Sequence, residues 1–172
     1  MIYVITHKIF DDSKLDRKTY KILHVGHGDN SKKYYLRDDC GDNISCMNPR
    51  FCEMTGLYWV WMYACEKDDD ICGIVHYRRF FINSEQSFLT LPEAEEICQD
   101  NTIIVPNAFF TPMSLKKEFI HFHDKKVLKV TENILSQMYP ESIKVFHKVL
   151  KCHKAFYFNM FICRKKTLDC YC

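Results

Sequence analysis

What this 172-residue sequence lacks narrows its function first. No apolar stretch approaches the ~20 residues of a membrane-spanning helix, so any expected membrane contact is peripheral. The opening Met1-Ile2-Tyr3-Val4-Ile5-Thr6-His7 has no basic segment, long apolar segment or cleavage site of a secretory leader. The expected compartment is therefore the reducing cytoplasm, at most at the inner face of the membrane. Net charge is nearly absent: 24 basic against 22 acidic residues leave +2, spread fairly evenly, where a nucleic-acid protein would show a basic face. No internal repeat or low-complexity segment is visible. Ten cysteines include no C-x-x-C, and Cys170-x-Cys172 stands alone, so zinc is disfavoured and most are expected to be buried thiols.

What is present fits one globular domain spanning 1–172, large enough to bury roughly two-thirds of its unfolded surface. Aromatic residues make up 15%, dense enough to line a cleft as well as a core. The organising stretch is Ile71-Cys72-Gly73-Ile74-Val75-His76-Tyr77-Arg78-Arg79. Its uninterrupted apolar run predicts a central parallel strand covered on both faces, and ligands bind beyond the carboxyl ends of such strands. His76, Tyr77, Arg78 and Arg79 fall at that end. Two adjacent guanidiniums there need water, acidic side chains or an anionic ligand. A salt-bridged pair against nearby acidic loops explains the same spacing.

Ile2 to Thr6 predicts a first strand ending at Thr6, His7 and Lys8, which become ligand-facing candidates. Tyr20 to Val25 predicts a second strand stopped by Gly26 and Gly28, with His24 and His27 structural or exposed. Asp38, Asp39 and Asp42 crowd a Gly41-containing turn with Asn43. Three carboxylates so close repel unless a divalent cation or the arginines sit among them; a solvated turn with a local Asp42 or Asn43 backbone bond is the alternative. Asn48-Pro49 predicts a helix start. The helix that follows sets Phe51, Met54, Thr55, Tyr58, Trp61, Met62 and Cys65 on one face, expected to be core. Gly56 inside it costs roughly 1 kcal/mol relative to alanine unless backbone must approach closely. Asp68-Asp69-Asp70 precedes the organising strand and reads as a solvated loop.

Further on, Pro92 to Cys98 predicts a short helix, and Thr102 to Val105 a buried strand ended by Pro106. Asn107 to Met113 reads as an aromatic lid-like loop at the arginine end. Leu115 to Tyr139 and Glu141 to Leu150 predict helices. His121 and His123, two apart, do not share a helix face, so a metal pair there needs a non-helical turn. Ala155 to Cys163 predicts a late strand interrupted by Asn159, whose amide needs a partner such as a substrate hydroxyl.

Taken together, Tyr3-Val4-Ile5-Thr6-His7-Lys8, Leu36-Arg37-Asp38-Asp39-x-Gly41-Asp42-Asn43-Ile44-Ser45, Asn48-Pro49-x-Phe51-Cys52-Glu53-Met54-Thr55-Gly56-Leu57-Tyr58-Trp59, His76-Tyr77-Arg78-Arg79-Phe80 and Asn159-Met160-Phe161 resemble one bacterial family. It is the capsular, exopolysaccharide or lipopolysaccharide glycosyltransferase family carrying an HYRR motif, long catalogued as a domain of unknown function. The resemblance implies an α/β, GT-A-like (Rossmann-type) fold: a mostly parallel sheet flanked by helices. It also implies sugar transfer from a nucleotide-sugar such as a UDP-sugar to a glycan or lipid-linked acceptor, and some relatives are thought to move galactofuranose. Cys40 departs from the small or hydroxylated residue usual there. Relatives run on past the point matching Cys172, so a C-terminally truncated, inactive nucleotide-sugar-binding or scaffold protein is the alternative.

On that reading Arg78 and Arg79 hold the diphosphate, His76 and Tyr77 orient the donor, and Thr6, His7 and Lys8 hold the nucleotide. Asp38, Asp39 and Asp42 are unranked candidates for the base, with His76 grouped beside them as catalytic. Asn43, His121, His123, Asn159 and Met160 are assigned to acceptor or sugar. Arginines where an acidic metal motif would otherwise stand favour metal independence, with Mn²⁺ or Mg²⁺ the alternative.

Overall fold

A computed structural model describes residues 1–28, 30–99 and 102–172. Its backbone falls into two compact units, residues 1–106 with 158–172, and Asn107–Tyr157.

The first unit is built on a five-stranded sheet. Strand β1 (Ile2–Thr6) pairs in parallel with β2 (Tyr20–His24) on one side and with β4 (Ile71–His76) on the other; β3 (Leu36–Arg37) extends the sheet beyond β2. The last strand, β7 (Phe161–Arg164), adds antiparallel to β4, giving the order β3-β2-β1-β4-β7. The expected mostly parallel sheet flanked by helices is therefore what the chain forms. Alternation explains why the strands carry no polar stripe. Ile2, Val4, Ile71 and Val75 enter one core layer, while Tyr3, Ile5, Cys72 and Ile74 enter the other. Burying aliphatics on both faces contributes about 1.5–3 kcal/mol per side chain, an upper estimate.

One layer is closed by α3 (Leu91–Ile97), whose Thr90 and Glu93 form a capping box around the start at Pro92. The other is closed by α2 (Met54–Tyr63) and α7 (Lys165–Tyr171). Gly56 is where α2 meets the sheet: a Cβ there would stand 2.8 Å from Val25 Cγ1 and 2.9 Å from Ile5 Cδ1.

Several expectations need correction. The helix predicted from Asn48 breaks after α1 (Asn48–Phe51), because the Asn48 side chain, instead of capping amides, donates to Cys52 O at 2.7 Å and to Thr55 Oγ1 at 3.0 Å. Cys52 there adopts φ +49°. The proposed core stripe is also rotated. Thr55, Gly56, Leu57 and Val60 are buried, whereas Phe51 is 47% and Met62 41% exposed. This helix is apolar all round, so three-four spacing alone could not choose the buried side. Of Thr102 to Val105, only Ile104 pairs, bridging to Ile162 at the outer edge of β7, while Ile103 and Val105 are exposed. Only Cys72, Cys98 and Cys163 are buried thiols; Cys65 is half-buried and the other six are exposed. The late strand is two strands: β6 (Lys154–Ala155) belongs to the second unit, and a turn with Phe158 at φ +66° precedes β7.

The second unit contains α4 (Leu115–Phe122), α5 (Lys125–Met138) and α6 (Ile143–Lys151) beside a two-stranded ribbon, β5 (Phe109–Phe110) with β6. Asp124 ends the first helix and starts the next, accepting from the Lys126 N–H at 2.8 Å. Asn107 to Met113 lies in this unit. Among the described residues no helix is long and apolar enough to cross a membrane.

Candidate active site

The chain leaves β1 for β2 and β3 on one side and returns to β4 on the other, so strand order reverses between β1 and β4. In open α/β sheets a crevice opens at that point, beyond the carboxyl ends. Ile5 and His76 are register partners there, and the Tyr77 N–H continues the pairing to Ile5 O at 3.1 Å. This brings Thr6-His7-Lys8 and His76-Tyr77-Arg78-Arg79 side by side.

Tyr77 is the hub of that meeting. Lys8 Nζ lies 5.5 Å and the Arg78 guanidinium 5.1 Å from its ring centre, and His7 meets it edge-on at 5.5 Å. Arg79 stacks over Phe158 at 4.0 Å. Among the described residues, none of Lys8, Arg78 and Arg79 forms an ion pair with a carboxylate. Aromatic faces stabilise a cation without neutralising it, so three positive groups remain available to an anion. Arg78 and Arg79 are exposed while the strand behind them is buried. Thr6 has a different job. Its hydroxyl donates to Lys8 O at 2.6 Å and accepts the Lys8 N–H at 3.2 Å, which closes the turn that presents Lys8.

A second chain of contacts joins the arginine turn to α2. Arg79 N–H donates to His76 O at 2.9 Å, closing the turn. His76 lies within electrostatic reach of Glu53, and Asn159 donates to Glu53 Oε1 at 2.7 Å, directly after the Phe158 that carries Arg79. Burial pushes the His76 imidazole below its ordinary value of 6.5; Glu53 opposes this, and Arg79 and Arg78 reinforce it. Among the described residues His76 Nε2 is buried without a hydrogen-bond partner. The ring of His24 is buried at the end of β2, with the His7 backbone beside it. Burial lowers that imidazole too, helped by nearby Arg37.

The three aspartates separate. Asp38 is 1% exposed and internal: it accepts Gly26 N–H at 2.9 Å and Thr55 Oγ1–H at 2.6 Å, tying the loop after β2 to α2. Burial raises its pKa against those two donors. Asp39 is held by Arg37, with Nη2 at 2.7 Å, and this bond keeps its carboxyl below the ordinary range. Asp42 rests on α2: its N–H donates to the Tyr63 hydroxyl at 2.5 Å, and Tyr58 donates to its carboxylate at 3.4 Å. Asn43 makes the local turn, donating to Gly41 O and accepting the Ser45 N–H. Met160 is a core residue, 5% exposed. His121 and His123 lie in the second unit, the first edge-on to Phe122 and the second tilted against Phe119, with His123 just past the end of α4.

Among the described residues no three His, Cys, Asp or Glu side chains are grouped to hold a metal ion. Asp38 and Asp39 already have protein partners in Thr55, Gly26 and Arg37. Sequence reasoning missed Glu53 and His24. Glu53 fell off the helical stripe, and that displacement, at the start of a helix, was its signal. His24 was legible only as a polar end to a strand.

The chain is similar in structure to WbbM, a bifunctional glycosyltransferase, in its apo form. The TM-score is 0.77 at 24% identity, a likeness that concerns the fold, covering 99% of this chain and 34% of that one. It therefore spans about a third of that protein's length. No curated protein matches the sequence. The family model described as "Domain of unknown function (DUF4422)" matches residues 1–172.

Proposed function

The chain belongs to that DUF4422 family, and from this premise we propose that its sheet-end crevice transfers a sugar from a nucleotide-sugar to an acceptor hydroxyl. One observation carries the reading: Lys8, Arg78 and Arg79 stand at a topological switch point, and among the described residues none of them is paired with a carboxylate. In such a transfer the acceptor oxygen attacks the anomeric carbon as its proton passes to a base. The bond to the diphosphate breaks, and that group departs with the electron pair. The three cations suit the departing charge, which grows toward the transition state. Glu53, held by Asn159 beside a neutral His76, suits the base, a role that contributes typically 10²–10⁴-fold. The buried Nε2 of His76, without a partner among the described residues, leaves bonding capacity for a donor hydroxyl or phosphate oxygen.

A uridine nucleotide donor and a capsular, exopolysaccharide or lipopolysaccharide acceptor are the finer form of this proposal, with the resemblance in five ordered motifs as its support. The test is turnover of a nucleotide-sugar panel. Wild type releases nucleoside diphosphate in the presence of acceptor, whereas Glu53→Gln binds the donor equally and turns over at least ~100-fold more slowly. Equal turnover by both removes Glu53 from catalysis. Because the chain spans a third of the matched protein, a second reading is a donor-binding module whose acceptor side lies elsewhere. That reading predicts diphosphate binding without any turnover.

A further inference from the structure

We propose that the helical unit Asn107–Tyr157 docks on an anionic lipid surface, independently of the transfer reading above. The net charge of +2 hides a segregation. Residues 107–157 hold nine lysines against Glu118, Asp124, Glu132 and Glu141, a net +5, while the rest of the chain, with 15 basic and 18 acidic residues, nets −3. Among the described residues none of those nine lysines pairs with a carboxylate. The one acid among the groove lysines, Glu132, is bonded to His147 at 2.7 Å.

The apolar side chains of this unit are equally unspent. Helix α5 carries two stripes. Leu128 and Leu135 turn inward and are half-buried, whereas Val127, Val130, Ile134 and Met138 form a second three-four stripe, 49%, 55%, 49% and 62% exposed. On α6, Val145 is 60% exposed and Val149 49% exposed, with Lys148 between them. No residue of α4, α5 or α6 is fully buried. A groove of about 790 Å³ runs between these helices, floored by Ile120, Leu128, Phe146 and Leu150 and bordered by Lys116, Lys125, Lys126, Lys129 and Lys151.

Charge complementarity selects the occupant. A helix with aliphatics on one side and lysines beside them lies in the headgroup region, its apolar side toward the acyl chains. Flexible, unpaired ammonium groups suit headgroups that can move laterally to meet them, and they need no fixed geometry. The lysine stems add to the apolar side as the charges reach outward.

Flotation of the full chain with vesicles tests this, comparing pure phosphatidylcholine with the same lipid containing about a third phosphatidylglycerol. The chain should bind the anionic vesicles and not the neutral ones, with affinity falling as salt rises. Lys125→Gln, Lys126→Gln and Lys129→Gln combined should weaken binding about a hundredfold, at roughly fivefold per lysine. Ile134→Asp, at an exposed site that leaves the fold and every lysine intact, should also release the chain. The proposal is overturned if the chain stays in solution with anionic vesicles, binds neutral ones equally, or binds unchanged with Asp at 134. It is equally overturned if, without vesicles, the chain sediments as a dimer that Ile134→Asp dissociates, since the stripe is then a self-association surface.

Discussion

Replacing Thr55 by Val tests how the loop after β2 is tied to α2. The Thr55 hydroxyl gives Asp38 Oδ2 one of the two hydrogen bonds that keep a fully buried carboxylate in place, the other coming from Gly26 N–H. Valine keeps the shape and removes the donor. A hydrogen bond to a charged group contributes about 1.5–3 kcal/mol, and the carboxylate left short of a donor has no water to turn to. For a domain of this size each kcal/mol shifts Tm by about 2–4 °C, so Thr55→Val should melt about 5–10 °C lower. Thr55→Ser, which keeps the hydroxyl, should recover most of the loss. pH gives a second reading. Burial raises the Asp38 pKa above 3.8, so the folded chain takes up that proton before the unfolded chain does. Acidification therefore relieves the cost of the buried charge, and the deficit of Thr55→Val relative to wild type should shrink as pH falls. A loss below about 2 °C, or a deficit unchanged by acid, refutes the tie.

Other parts of the fold are equally open to test. Gly73→Ala would place a Cβ 2.8 Å from Ile162 Cγ1 and 2.8 Å from the Phe161 carbonyl oxygen, forcing β7 away from β4. The expected cost is about 1–3 kcal/mol, read as a lower urea midpoint at unchanged slope. His24 favours its neutral form, with a folded pKa below the ordinary 6.5, so its contribution is complete above that value and is lost as pH falls through it. As pH falls below 6.5 wild type should lose stability that His24→Gln does not lose, a difference visible in paired thermal melts.

Much of the sheet was legible because its physics is local. Apolar runs at Ile2–Thr6, Tyr20–His24 and Ile71–His76, each ended by a polar residue or glycine, could be read as strands without any partner in view, the last as a central parallel one. Gly56 in the middle of a helix stood out as a cost, and the sheet side chains at 2.8 and 2.9 Å supply its reason. What pattern could not resolve was direction. Helix α2 is apolar on every side, so its buried face was decided by that glycine and by the sheet, not by the large aromatics. Asp38, Asp39 and Asp42 are indistinguishable in sequence, and only their separate partners Thr55, Arg37 and Tyr58 tell them apart. Glu53 and Asn159 lie 106 positions apart, and their pairing depends on the turn at Phe158 that the strand reading overlooked.

The cation cluster bears most of the functional account, and it can be reached without knowing donor or acceptor. Titrating uridine diphosphate into the chain by calorimetry should give saturable, salt-sensitive binding. Arg78→Ala should weaken it at least about tenfold, the loss of one charge-assisted contact, while the melting temperature of the free protein holds, because that side chain is exposed. Unchanged affinity in Arg78→Ala and Arg79→Ala alike would contradict the assignment of this crevice to a phosphorylated donor.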